Sequence, residues 1–145
     1  VVRRLLDEGH TVTVAGKSAA ASNDATRDDL IATARDVGLD IVAEPRLSVI
    51  ASGSATVGTN LFCSTPEFVL ALRESEVVVS KGQGNWYTTQ GLRKDTFYLL
   101  MSKGMTAEKT TGIVAPREAP MDGLIVAYVP HDSQWTGSLR EFAVT

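Results

Sequence analysis

The chain has 145 residues, with 14 Lys and Arg against 17 Asp and Glu for a net charge of −3, and 43% of its residues are apolar. Those proportions fit one globular domain of ordinary size and exclude repeat arrays, collagen-like chains and largely disordered chains. The sequence pI of about 5.3 leaves no basic face for nucleic acid, and the lone Cys63 excludes an internal disulfide or a four-cysteine zinc cluster. Apolar stretches such as 124–129 are far too short to span a bilayer, so no membrane partner and a cytoplasmic location are expected.

Val1, Val2, Leu5 and Leu6 recur at helical spacing, and Gly9 closes that helix. Neither an initiator Met nor an N-cap residue opens it, so the chain is expected to be a fragment that starts inside an element. Residues 10–16 alternate, with Val12 and Val14 on one face, and predict a strand. A small-residue loop leads to Asn23-Asp24-Ala25-Thr26. Thr26 is the expected N-cap of a helix over 27–37, whose Leu30, Ile31, Ala34 and Val37 share a face and which Gly38 ends. Pro45 precedes a second strand at 46–51 that runs into Ser52-Gly53-Ser54. Thr65-Pro66 pairs an N-cap with proline at the first helical position and opens a helix through Phe68, Val69 and Leu72.

Residues 76–80 form a third predicted strand, apolar enough for burial on both faces of a parallel sheet, and it ends in the loop Lys81-Gly82-Gln83-Gly84-Asn85. The continuous run of Phe97, Leu99, Leu100 and Met101 predicts a helix over 92–102. Residues 113–115 and 124–129 are expected to be closing strands, and 131–145 a weakly patterned tail. Strands and helices alternating with connections too long for hairpins indicate a doubly wound α/β layer in one domain, residues 1–145.

Ligands of open α/β sheets bind beyond the carboxyl ends of the strands. Three polar loops stand there: Lys17 with Asn23-Asp24, residues 52–59, and Lys81 to Asn85. Glycines and small residues let backbone N–H groups converge on an anion, and a lysine adds a full charge, which together suit a phosphate. Gly53 and Gly58 have phosphate-loop spacing, but Thr59 stands where that loop needs lysine, and no G-x-G-x-x-G follows a strand. Lys81, at the end of an apolar strand, needs a partner or a cavity, with a salt bridge as the plain alternative to a ligand. Asp24 reads as a metal-binding carboxylate or as a cap of the following helix, and Lys17 as a ligand contact or a rim residue. His10 reads as a solvated or capping residue. His131-Asp132 has no activated serine nearby. Trp86 and Tyr87 are assigned to the core rather than to a pocket wall.

The segments Val79-Ser80-Lys81-Gly82-Gln83-Gly84-Asn85, Ser52-Gly53-Ser54-Ala55 with Gly58-Thr59, Thr65-Pro66-Glu67-Phe68 and Asn23-Asp24-Ala25-Thr26 together resemble the metal-dependent damage-control phosphatases of domain of unknown function 89. The resemblance runs from Val1 to about Lys103 and is most specific at Lys81 to Asn85. It implies a three-layer α/β/α, Rossmann-like domain with a mostly parallel sheet, the C-terminal portion of a larger phosphatase. Such an enzyme hydrolyses phosphate monoesters of small metabolites, sugar phosphates or damaged cofactor intermediates, with a divalent transition metal such as manganese, cobalt or nickel. Asp24 then matches a metal ligand and Lys81 a phosphate-contacting residue, both catalytic. Lys17, Gly53, Ser54, Gly82, Gln83 and Asn85 are the further phosphate-site residues expected. The family's adjacent Asp-Asn metal pair has no counterpart in the sequence, and the other ligands are expected upstream of Val1.

The competing expectation is a non-catalytic domain that binds a phosphorylated small molecule or phosphosugar without a metal. A third is a structural piece that folds only with a missing segment or another subunit. An Asp-Asn-x-Gly-Glu run encoded upstream of Val1 favours the phosphatase, and a start codon at Val1 favours binding. Neither the substrate nor the oligomeric state is encoded in a recognisable motif.

Overall fold

A computed structural model describes residues 1–89, 91–101 and 124–132. The chain divides into two units, Val1–Glu74 and Ser75–Thr145.

The first unit opens with helix α1 (Val2–Asp7), which buries Leu6, and passes through Gly9 into strand β1 (Val12–Gly16). Helix α2 (Arg27–Asp36) starts at a capping box: the Thr26 hydroxyl accepts from Asp29 N at 3.2 Å while the Asp29 carboxylate accepts from Thr26 N at 2.8 Å. This reciprocal pair satisfies two amides that a helix start otherwise leaves without partners. Strand β2 (Leu47–Ala51) then lies parallel to β1, in register from Val12 opposite Leu47 to Gly16 opposite Ala51. Ala34 of α2 and Leu47 and Ile50 of β2 are buried. A 3-10 turn (Leu61–Cys63) leads to helix α3 (Pro66–Glu74), where the Thr65 hydroxyl accepts from Phe68 N at 3.2 Å and donates to Ala51 O at 3.0 Å. One side chain thus caps α3 and pins it to the end of β2.

The second unit contains β3 (Val77–Lys81), α4 (Gln83–Thr89), β4 (Asp95–Met101) and β5 (Leu124–Val129). β3 pairs parallel with β4, and β4 antiparallel with β5. Trp86 of α4 is fully buried against Tyr98, with ring centroids 4.5 Å apart and planes at 80°, and Leu100, Ile125, Ala127 and Val129 complete this core. Thr89 joins it: the Tyr98 hydroxyl donates to Thr89 O at 2.9 Å. The opposite sheet face carries Val77, Val79, Phe97 and Tyr128, each about half exposed.

The structure departs from the sequence pattern at three places. The helix predicted over 92–102 is strand β4, in which Thr96, Tyr98 and Leu100 are buried while Phe97 and Met101 are exposed. An apolar residue on both faces of a strand hides the period of two that distinguishes it from a helix. The Lys81 to Asn85 run is not all loop, because α4 begins at Gln83; burial of Trp86 overrides the weak helix propensity of its glycine. Strand β3 is not buried on both faces. The observed architecture is α/β with a parallel two-stranded sheet and a mixed three-stranded one. The strand expected at 113–115 and the tail beyond residue 132 lie outside the described residues.

Candidate functional site

In the first unit, β1 and β2 end side by side, and the chain segments leaving them are tied together. Ser52 N donates to Gly16 O at 2.8 Å, extending the ladder one step. Gly16 is required by close approach: a Cβ there would stand 2.6 Å from Arg27 N. Lys17 N donates to Ala25 O at 2.9 Å and Lys17 O accepts from Arg27 N at 3.0 Å, so residues 18–24 form an excursion closed at its base. Within it, Asp24 N donates to Ala21 O at 3.0 Å, which fixes the backbone that carries the Asp24 carboxylate.

The side chain of Lys17 turns inward. The residue is only 7% exposed. Its ammonium donates to Gly58 O and lies 3.8 Å from Asp24 Oδ2. A lysine this deep requires such partners, because a buried charge without them is strongly disfavoured. Asp24 itself is partly exposed, and among the described residues its carboxylate accepts no hydrogen bond; at 3.8 Å its link to Lys17 is electrostatic.

Residues 52–59 are stitched to the same excursion. Gly53 N donates to the Ser18 hydroxyl at 2.7 Å, and Ser18 N to Ser54 O at 3.3 Å. The Ser54 hydroxyl, buried, is 2.7 Å from that of Thr56 and accepts from Thr56 N at 3.1 Å. Gly53 holds a left-handed φ of 89°, and a Cβ there would sit 2.4 Å from Thr65 N, so no other residue fits. The Ser52 hydroxyl is buried with no hydrogen-bond partner among the described residues.

In the second unit, Lys81 ends β3 on the exposed face shared with Val77 and Val79. Its ammonium makes no hydrogen bond or ion pair among the described residues, while its carbonyl accepts from Asn85 Nδ2 at 2.7 Å. Gly82 N donates to Leu99 O at 2.9 Å and Gly82 O accepts from Trp86 N at 3.1 Å. Gln83 is the first residue of α4. Asn85 therefore folds the turn back on itself, and Trp86 locks the turn to the core. Tyr87, on the outer side of α4, is 43% exposed, so only Trp86 of that pair is a core residue.

The expected site residues thus form two groups. Lys17, Asp24, Gly53 and Ser54 are brought together in the first unit, and Lys81, Gly82, Gln83 and Asn85 in the second. Residues 1–112 match the family model of the damage-control phosphatase ARMT1-like domain. The chain belongs to that family.

The damage-control phosphatase PH1575 of Pyrococcus horikoshii is 34% identical to it over 93 residues, 63% of this chain and 30% of that protein. The crystal structure of a DUF89 family protein, PH1575, from the same organism superposes with a TM-score of 0.59 at 30% identity, covering 78% of this chain and 35% of that one. The chain therefore spans about a third of the relative it matches.

Family membership supports phosphatase chemistry in general. Asp24 is one hard oxygen donor at this strand edge, facing the Lys17 ammonium at 3.8 Å. Among the described residues no group of three or more His, Cys, Asp or Glu stands close enough to complete a metal site. No helix among them is long and apolar enough to cross a membrane. Sequence reasoning missed Ser18, whose hydroxyl joins the two loops, and gave no separate role to Ser52, whose hydroxyl is buried without a partner among the described residues. Ser52 stood in the loop and motif that sequence reasoning named, but without a role of its own, and Ser18 was signalled only by its place just beyond the end of β1. His131 pairs not with its neighbour Asp132 but with Asp95, whose Oδ1 accepts from His131 N at 2.7 Å.

Proposed function

We propose that the protein carrying this chain is a metal-dependent phosphatase of small phosphorylated metabolites, sugar phosphates or damaged cofactor intermediates, acting in the cytoplasm. The observation that carries this reading is the Asp24 carboxylate, free of hydrogen bonds among the described residues and held 3.8 Å from a buried lysine at the carboxyl edge of a parallel sheet. In this reading Asp24 is one ligand of a manganese, cobalt or nickel ion, with the Asp-Asn pair of the resemblance as the others. Lys81 offsets phosphate charge, and Gly82, Gln83 and Asn85 shape the turn beside it. Lys17, Gly53 and Ser54 frame the phosphate site in the first unit. The three-layer α/β/α class goes with this reading.

Magnitudes favour a metal over lysines alone. Phosphate-monoester hydrolysis requires accelerations of up to ~10²¹, whereas one well-placed donor contributes about 2.7–4 kcal/mol. A divalent ion supplies a Lewis acid and a more acidic bound water. The test is phosphate release from a panel of sugar phosphates with added Mn²⁺. Asp24→Asn and Lys81→Ala are each expected to lower turnover by about 100-fold or more; full turnover in both variants removes these residues from the chemistry.

A further inference from the structure

In the second unit, the sheet face opposite α4 is apolar across all three strands. Pairing sets Val79 opposite Phe97 and Phe97 opposite Tyr128, so these residues form one row over β3, β4 and β5. The Phe97 and Tyr128 rings pack with centroids 4.8 Å apart. Val77 and Met101 lie on the same face to either side of that row, and all five are about half exposed. Alternation leaves Lys81 and Asp95 as the charged positions of this face among the described residues. An apolar surface of this extent is seldom left to water.

The chain itself turns onto this face. In the strand order β3-β4-β5, β5 is followed at once by His131, which reaches back to β4: its N–H donates to Asp95 Oδ1 at 2.7 Å, and its ring Nδ1 lies 3.1 Å from the same atom. Asp95 stands two residues before Phe97 and therefore shares its side of the strand. The backbone leaving β5 is thus anchored over the middle strand on the apolar side, beside Val77, which faces Asp95 in register. The thirteen residues that follow, 133–145, carry Trp135, Leu139 and Phe142 at spacings of four and three, the repeat that gathers side chains on one side of a helix. The two charges in this run, Arg140 and Glu141, cancel. Even at a helix's rise of about 1.5 Å per residue the run reaches about 20 Å, and three strands make a face only about 10 Å across.

We propose that residues 133–145 dock on this apolar face, with Trp135, Leu139 and Phe142 set against Val79, Phe97 and Tyr128. Continuity selects this occupant: a second copy of the chain, or another part of the protein, has to reach the face past a segment already tethered at Asp95. The contact is independent of the phosphatase reading, because it uses no residue placed in the phosphate site.

The experiment is hydroxyl-radical footprinting of the whole protein, in which mass spectrometry reads the oxidation of individual aromatic and methionine side chains. In the unaltered protein Phe97, Met101, Tyr128, Trp135 and Phe142 are expected to react slowly, as Trp86 in the core does. Leu139→Asp combined with Phe142→Asp is expected to raise labelling of Phe97, Met101 and Tyr128 severalfold while Trp86 stays protected. Phe97→Asp is expected to raise labelling of Trp135 in the same way. Should the aspartates unfold the protein, Trp86 labels as well, and Leu139→Ala combined with Phe142→Ala carries the same contrast. Rapid labelling of the face in the unaltered protein overturns the proposal. So does slow labelling that neither the segment variants nor Phe97→Asp changes, and sedimentation then tells whether a second copy is the cover instead.

Discussion

Two lysines end parallel strands in this chain, and their surroundings are opposite. Lys17, at the end of β1, is 7% exposed and has both a carbonyl and a carboxylate partner. Lys81, the last residue of β3, is exposed and has neither among the described residues. The difference lies in what the chain does next. After Lys17 it makes a seven-residue detour, 18–24, before returning to pair with Lys17 N and O, and residues 52–59 are hydrogen-bonded to the detour. After Lys81 it turns at Gly82 directly into α4, which covers the other face of its sheet, where Ser80, Tyr98 and Trp86 are buried. A lysine at a strand's carboxyl end is therefore a site residue of one kind or another depending on its loop, and burial cannot be inferred from the strand.

The largest effect expected concerns the core of the second unit. Trp86→Ala removes the side chain on which α4 docks and is expected to cost about 3–5 kcal/mol, read from the urea midpoint. Amide exchange should accelerate first in β4, where Tyr98 loses its edge-on partner. Equal acceleration in β1 and β2 would show that the two units open as one cooperative body rather than separately.

Next in size is the contrast between the lysines themselves. Lys17→Met leaves the buried Gly58 carbonyl without its donor and Asp24 without its counter-charge, for an expected loss of about 1–3 kcal/mol. Lys81→Met removes an ammonium that has no hydrogen bond or ion pair among the described residues and should stay within about 0.5 kcal/mol. Urea denaturation of the two variants side by side measures this. A reversed order would mean that Lys81, not Lys17, is the anchored one.

Helix starts and strand ends were the legible features of this sequence, because both rest on local chemistry. Thr26 and Thr65 cap their helices as expected, and β1 and β2 lie where alternation and β-branching put them. The family motifs were legible for a different reason: Asp24 and Lys81 stand in runs of residues specific enough to resemble one family, and residues 1–112 match it. What was not legible depends on contacts between distant segments. Strand β4 looked helical because Phe97 and Met101 remain exposed and apolar, so the solvent-facing positions carried no polar signal. Ser18 and Ser52 gain their meaning only when Gly53 N reaches across 35 residues and Ser52 N meets Gly16. The inward turn of Lys17 likewise depends on Gly58, 41 residues away.

The smallest expected effect sharpens the comparison of the units through acid stability. Asp29 in the first unit is held below the usual 3.8 by the Thr26 hydroxyl and then by Thr26 N–H. Asp95 in the second is held below the same value by His131 N–H and then by the His131 ring. A carboxyl whose folded pKa is depressed stabilises the fold fully above its unfolded pKa, and that contribution is lost as pH falls through the folded value. Both therefore add to stability above about pH 4 and lose it below. They differ in reach. Thr26 is three residues from Asp29, and such a capping box can persist in a fluctuating helix of the unfolded chain, which lowers the unfolded pKa as well. His131 is 36 residues from Asp95, and unfolding abolishes that bond entirely. Asp95→Asn is thus expected to flatten the acid limb of the stability profile more than Asp29→Asn, measured by urea midpoints between about pH 5 and pH 2. Carboxyl-carbon NMR titration in urea should return Asp95 to its ordinary value while leaving Asp29 slightly low, and equal flattening by the two variants would mean that the range of the contact does not matter.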